Sequence, residues 1–335
     1  MNALRALNQF LRSLTPTQQV AALFLFVFGI LVLVSVVTTL LALRERKVAP
    51  GAERAAELRD SRKLLGSSWI TVLVFWVAWA AGDAFAIVLF TLIAFFALRE
   101  FITLSPTRHG DHRSLVLAFF VVLPVQFWLV GARHFDLFTV FVPVYVFLAM
   151  PVASALAGDT QRFLERNAKL QWGIMVCVYG MSHVPALMLL DFPGRRYEGK
   201  GAFLVFFLVF IVQTCMVVQH LAARRLRYAP SIPNVSKSFS WRSWGMGVTA
   251  GVLAAGLLSF ITPFKPGQAL GMGLVACVAG SMGHLVMKAL KRDRGVTSWG
   301  KRASVTGANG LLDRVDALCF AAPIFFHSVR WYFRV

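Results

Sequence analysis

Near the C-terminus two acidic residues, Asp313 and Asp316, stand three apart and flank Arg314. On a helix that spacing places both carboxylates on one face, where they could hold one cation between them. The same pair also suits a helix N-terminus, whose dipole favours negative charge. Arg314 and the upstream pair Lys291-Arg292 carry charge and donors suited to phosphate oxygens. Lys291-Arg292 equally suits a topology anchor at the cytoplasmic end of a span. His284 lies in an apolar run. It is either a ligand for a transition metal beside the aspartates or a buried, hydrogen-bonded ring. His183, followed by Val184-Pro185, reads as a ring satisfying backbone groups that the proline frees, with a ligand or proton-relay role as the rarer reading. No G-x-x-x-x-G-K-[ST], G-x-S-x-G or H-E-x-x-H pattern occurs.

These residues need elements to position them, and composition says which. Of 335 residues, 58% are hydrophobic and 15% charged, against about 25% charged in a soluble domain. A soluble fold of this size has too little interior for so much apolar surface. The chain therefore reads as an all-α, polytopic integral membrane protein with about nine or ten transmembrane helices. Residues 1–17 form an amphipathic interfacial segment, with Leu4, Leu7, Leu11 and Leu14 on one face. Residues 18–66 hold a first span, about 20–43, and a charged cytoplasmic loop. Residues 67–335 form the main membrane domain. Its spans fall near 67–81, 84–102, 114–131, 137–156, 170–190, 201–222, 243–263, 268–290 and 315–330, each judged against a hydrocarbon core of about 30 Å. Gly82-Asp83 between the first two of these also admits a re-entrant hairpin. Gly271, Gly273 and Gly280, and the stretch Gly247–Gly256, read as small-residue packing surfaces.

The net charge of +19 would suggest nucleic acid in a soluble protein. In a membrane chain it sets topology and draws anionic lipid, so nucleic acid is not expected as a partner. Alternating the spans from a cytoplasmic 44–66 segment puts 25 of the 34 Lys and Arg on the cytoplasmic side and both termini outside. The basic segments 223–242 and 288–314 then share the cytoplasmic face, where a site is expected. Cys177, Cys215, Cys277 and Cys319 lie in apolar runs without a CxxC pair and read as packing residues.

The segment Gly283-His284 through Lys291-Arg292, a polar linker, then Gly310-Leu311-Leu312-Asp313-Arg314-Val315-Asp316 resembles the phosphatidate cytidylyltransferase (CDP-diacylglycerol synthase) family. That family closes with G-D-L-x-E-S-x-x-K-R, then K-D, then P-x-H-G-G-x-x-D-R-x-D at the start of the last helix. Lys291-Arg292 falls on the K-R and Asp313-Arg314 with Asp316 on the D-R-x-D. The loop S-P-K-K-T-W-E-G aligns with Ser236-Lys237-Ser238-Phe239-Ser240-Trp241-Arg242-Ser243. The resemblance implies binding of CTP and phosphatidate at the cytoplasmic face of a membrane, expected to be a bacterial inner membrane. The reaction yields CDP-diacylglycerol and pyrophosphate, with Mg2+ as the cofactor. Asp313, Asp316 and Arg314 would be catalytic, Asp313 and Asp316 would hold metal with His284 as a third candidate, and Lys291, Arg292, Ser236 and Lys237 would bind substrate phosphate.

The departures fall where the chemistry would occur. The G-D aspartate is His284, and the next Glu and Ser are Met287 and Lys288. The K-D pair becomes Thr297-Ser298, and H-G-G becomes Ala308-Asn309-Gly310 after Thr306 in place of proline. An upstream D-x-x-A-Y-x-x-G-R aligns with Met216 at the aspartate, His220 at the tyrosine and Ala223-Arg224 at the G-R. A thioether does not replace a carboxylate toward magnesium, and phosphoryl chemistry depends on placed charge. The expectation is therefore a family member with cytidylyl transfer lost or altered and a lipid-phosphate-binding or regulatory role. An active synthase using Asp313 and Asp316 is the alternative. A transporter ranks last, because the spans carry few ionisable residues at their centres.

Overall fold

The computed structural model describes residues 83–335 apart from 106, 193–200, 227, 237, 297, 298, 300–309 and 335, with scattered positions before 83 and no side-chain description of Arg224. The expected interfacial segment 1–17 and most of the span 20–43 and loop 44–66 lie outside the described residues. Residues 1–82 form one compact unit and 83–335 another. In the first, helical positions include Phe28, Ser35 and Trp69. The Trp69 indole N–H donates to Ser35 Oγ at 3.0 Å, and its ring meets Phe28 at 5.5 Å.

The second unit is helical, with no strand among the described residues. Among the described residues six helices are long and apolar enough to cross a membrane. They are α1 (Asp83–Thr103), α2 (His109–Gly131), α3 (Phe135–Ala155), α5 (Gly201–Leu226), α6 (Trp241–Ile261) and α7 (Pro266–Asp293). Two more long helical segments are α4 (163–188) and α8 (Leu312–Phe333). Phe120 is 69% exposed and Leu257 76%, an apolar exterior that suits lipid better than water. The molecule is a polytopic, all-α membrane protein.

Helix α4 begins seven residues before the span expected at 170–190. Its first turns are polar, so hydropathy alone reads them as loop, but Arg166 and Asn167 are buried against partners on neighbouring segments. Prolines interrupt several helices, and each releases the carbonyl four residues before it. Pro151 leaves Phe147 O without an N–H, and the Gln171 side chain donates to it at 2.8 Å. Pro323 likewise frees Cys319 O, and a Cβ on Gly180 would lie 2.3 Å from that oxygen, so α4 approaches α8 only because residue 180 is glycine. His183 Nδ1 donates to Tyr179 O at 2.7 Å. That carbonyl belongs to a π-helical turn, not to the position four before Pro185.

Helix α8 runs through the centre, packed against α7, α4, α5 and α1. Small residues bring its neighbours close. A Cβ on Gly283 would strike the Phe320 ring at 2.2 Å, and one on Gly273 would meet Ala255 Cβ at 2.4 Å. One on Gly251 would meet Cys277 Sγ at 2.4 Å. Gly271 faces open space, so the expected packing surface on α7 narrows to Gly273, Gly280 and Gly283. All four cysteines are free and buried.

Candidate functional site

The contact between α7 and α8 sets two hydrogen-bonded rungs. His284, Lys288 and Lys291 occupy positions i, i+4 and i+7 of α7 and so share one face. Close approach at Gly283 lets His284 Nδ1 reach Asp316 Oδ2 at 2.8 Å. Two turns on, Lys291 Nζ donates to Asp313 Oδ1 at 2.5 Å. Asp316 is nearly fully buried, and its other oxygen accepts the Ala317 N–H at 2.7 Å. Asp313 Oδ2 accepts the Trp299 N–H at 3.0 Å, which ties the 294–311 linker to the start of α8.

The N-terminus of α8 is capped from a distance. Glu100, in the last turn of α1, accepts the N–H of Leu311 through Oε1 at 2.9 Å and that of Leu312 through Oε2 at 2.8 Å. Two orphan amides of a helix N-terminus are satisfied by one buried carboxylate, which also opposes the positive end of the dipole. Trp299 is buried and stacks on Phe101 with centroids 5.8 Å apart, so this residue seats on α1 beside Glu100.

Asp313, Asp316, Lys291 and His284 thus lie together at the α7–α8 contact. The two aspartates do not converge on one point: each turns to a different side chain on α7. Arg314 and Arg292 are exposed near the same end. Ser236 is buried elsewhere, in the loop before α6, where its hydroxyl lies 3.4 Å from that of Ser238 and its N–H bonds Ile232 O. Lys237, Thr297, Ser298, Thr306, Ala308 and Asn309 lie outside the described residues. The rest of the Ser236–Ser243 loop is a start signal for α6: Ser240 Oγ accepts the Ser243 N–H at 3.2 Å and Ser243 Oγ accepts the Ser240 N–H at 3.3 Å. Met216 is half-buried on α5, one turn from His220.

Sequence reasoning did not single out Glu100, Trp299 or Lys288 as working parts of the site. Glu100 had a visible signal, since it is the lone carboxylate after Asp83 in a mainly apolar α1 whose other late charge is Arg99, and an intramembrane carboxylate needs a partner. Trp299 had none, being a tryptophan in a polar linker.

Magnesium asks for six oxygen donors in near-octahedral array. Among the described residues no group of three His, Cys, Asp or Glu side chains is placed to hold a metal. Asp313 already faces an ammonium at 2.5 Å and Asp316 an imidazole. These side chains do not fit a hard divalent ion, because it would have to displace Lys291 from Asp313 and would find no third carboxylate beside them among the described residues.

Comparison with known proteins agrees with this architecture. The chain is 31% identical over 307 residues to the uncharacterized protein YnbB of Escherichia coli (strain K12), which spans 91% of this chain and 96% of that protein. A model of the cytidylyltransferase family matches residues 62–332, taking in both α7 and α8 with their paired residues and the Glu100 cap. The chain belongs to the cytidylyltransferase family, the family of the CDP-diacylglycerol synthases.

Proposed function

We propose that this family member binds the phosphate of an anionic lipid of the phosphatidate class at its cytoplasmic face, in a regulatory or scaffolding role, and that ordinary cytidylyl transfer is lost or altered. One observation carries the reading: each site carboxylate already has a side-chain partner from the same chain, Asp313 the Lys291 ammonium and Asp316 the His284 imidazole. Bringing a nucleotide triphosphate onto a lipid phosphate needs strong positive charge at the reacting oxygens. A carboxylate neutralised by lysine has little attraction left for a metal ion that would supply it. The surplus of basic residues in 288–314, which the charge distribution puts on the cytoplasmic side, still favours an anionic headgroup.

The test uses the purified full-length chain in detergent with labelled CTP, phosphatidate and either magnesium or manganese. The expected result is no CDP-diacylglycerol above the no-protein control, together with saturable phosphatidate binding. Product formed with magnesium and abolished by Asp316→Asn would establish an active synthase built on Asp313 and Asp316 and end this proposal.

A further inference from the structure

Between the two rungs of the α7–α8 ladder stands Lys288. It occupies the α7 face that carries His284 and Lys291, four residues after one and three before the other. Both neighbours engage α8, so that face looks toward α8 and not toward lipid. Lys288 is half-buried there. Among the described residues it makes no hydrogen bond and no ion pair, although Asp316 and Lys291 lie close enough to act on its charge. A lysine near a helix end commonly stretches along the lipid face to reach the headgroups. Lys288 is on the wrong face for that. It stands five residues before the last residue of α7, which at 1.5 Å per residue is about 8 Å from the helix end. That depth is within reach of a lipid phosphate.

The aligned family residue is a serine, and the carboxylates that would bind metal are here replaced or neutralised. Resting on the lipid-binding reading above, we infer that Lys288 is the resident cation of an anion subsite that takes a phosphomonoester without any metal ion. The two flanking pairs hold the face rigid: Asp316 and Asp313 fix His284 and Lys291, which leaves Lys288 as the group with free N–H donors. Arg314, exposed one residue after Asp313 at the start of α8, offers a second positive charge to the ligand. A phosphomonoester dianion can accept from both, whereas a phosphodiester offers one charge and fewer acceptor oxygens.

The experiment titrates the full-length chain in detergent, with EDTA present, against dioctanoyl phosphatidate by calorimetry. Dioctanoyl phosphatidylglycerol supplies the phosphodiester, and CTP and inorganic phosphate test whether the phosphomonoester must be part of a lipid. Phosphatidate should bind in EDTA and more tightly than phosphatidylglycerol. Lys288→Gln should weaken it about tenfold, Lys288→Arg should keep most of it, and Arg162→Gln, an equal charge change on another loop, should leave it unchanged. Equal melting temperatures would show that each variant folds. Tighter binding of CTP or inorganic phosphate than of phosphatidate, with the same dependence on Lys288, would keep the subsite and assign it to a soluble ligand. Phosphatidate binding that persists in Lys288→Gln, or that requires added magnesium, overturns this inference and leaves the lipid-binding reading standing. Absence of any phosphatidate or phosphate binding overturns both.

Discussion

Arg166 and Lys291 are both buried cations facing aspartates near the ends of long helices, yet they serve different ends. Arg166, in the first turns of α4, gathers groups from two loops. Its Nε lies 2.9 Å from Asp111 and its Nη1 2.6 Å from Asp159, and it also donates to the carbonyls of Asp159 and Gln161. Beside it Ser114, Ser154 and Asn167 join α2, α3 and α4 through bonds of 2.9 and 2.8 Å. The cluster has two carboxylates around one guanidinium, with Arg108 at 3.5 Å from Asp159 on the rim. Arg166 meets both carboxylates and two backbone carbonyls, although its buried Nε, beside Asp111, makes no hydrogen bond. The α7–α8 ladder has the opposite balance: Asp313 pairs with Lys291 and Asp316 with the His284 ring, and Lys288 is left over between them. The same residue types make a closed clasp in one place and an open anion seat in the other. The difference lies in the cation surplus and in which groups already have partners.

The comparison breaks most readily at Arg166. Its side chain is 5% exposed, and removing one partner of a buried ion pair costs about 3–5 kcal/mol. Arg166→Ala should therefore lower the melting temperature of the detergent-purified protein sharply, while the folded fraction still binds phosphatidate with unchanged affinity. A variant that melts normally, or that loses lipid binding while folded, would show that the clasp is more than structural.

Glu100 tests the other region. Glu100→Gln keeps the shape but leaves one carbonyl oxygen to face two amides. Its new NH2 opposes one of them, so about 1–2 kcal/mol of stability should go. The loss should appear in hydrogen exchange at Leu311 and Leu312 before it appears in global melting. Unchanged protection at those amides would mean that α8 starts without the cap.

Asp313 sharpens the electrostatic claim. Asp313→Asn removes the negative charge opposite Lys291 and adds an available cation to the face. At about 1 kcal/mol for one screened charge near a protein surface, phosphatidate binding in EDTA should tighten roughly fivefold. Asp111→Asn in the clasp should leave it unchanged. Weaker binding after Asp313→Asn would indicate that the carboxylate attracts the ligand through a cation, as in a metal-dependent synthase.

How much of this was readable in the chain follows from the range of the interactions. The six apolar helices lie close to the spans expected from hydropathy, because a hydrocarbon solvent forces each backbone to satisfy itself locally. Asp313, Asp316, Lys291 and His284 were marked by spacing and family pattern, and the structure does gather them. Their pairing was not legible. Which carboxylate meets which cation depends on the approach of two helices at Gly283, and that is set by a ring, Phe320, some forty residues further along. The Glu100 cap joins residues more than two hundred apart. The polar start of α4 was read as loop because burial of Arg166 depends on Asp111 and Asp159, and hydropathy averages cannot register a partner.

The smallest expected effect is in the pH response of the clasp. Asp159 lies in the loop between α3 and α4, outside the spans, and its carboxyl is held below its ordinary value of 3.8, first by the Gln161 N–H and then by the Arg166 guanidinium against the opposing effect of desolvation. A carboxyl whose folded value is depressed stabilises the fold fully at pH above its unfolded value, and this contribution fades as pH falls through the folded value. Asp159 should thus add no slope to the melting temperature between pH 7 and about 4, and a decline should set in only in more acidic buffer. In Asp159→Asn that part of the acid decline should vanish while the neutral-pH melting temperature falls slightly, since an amide still accepts from Gln161 and Arg166. The α7–α8 ladder contains no comparable loop carboxylate, so phosphatidate binding per folded molecule should be the same in this variant as in the parent at each pH. A binding curve that moved with Asp159 would join the two regions electrostatically and undo the separation of clasp from seat.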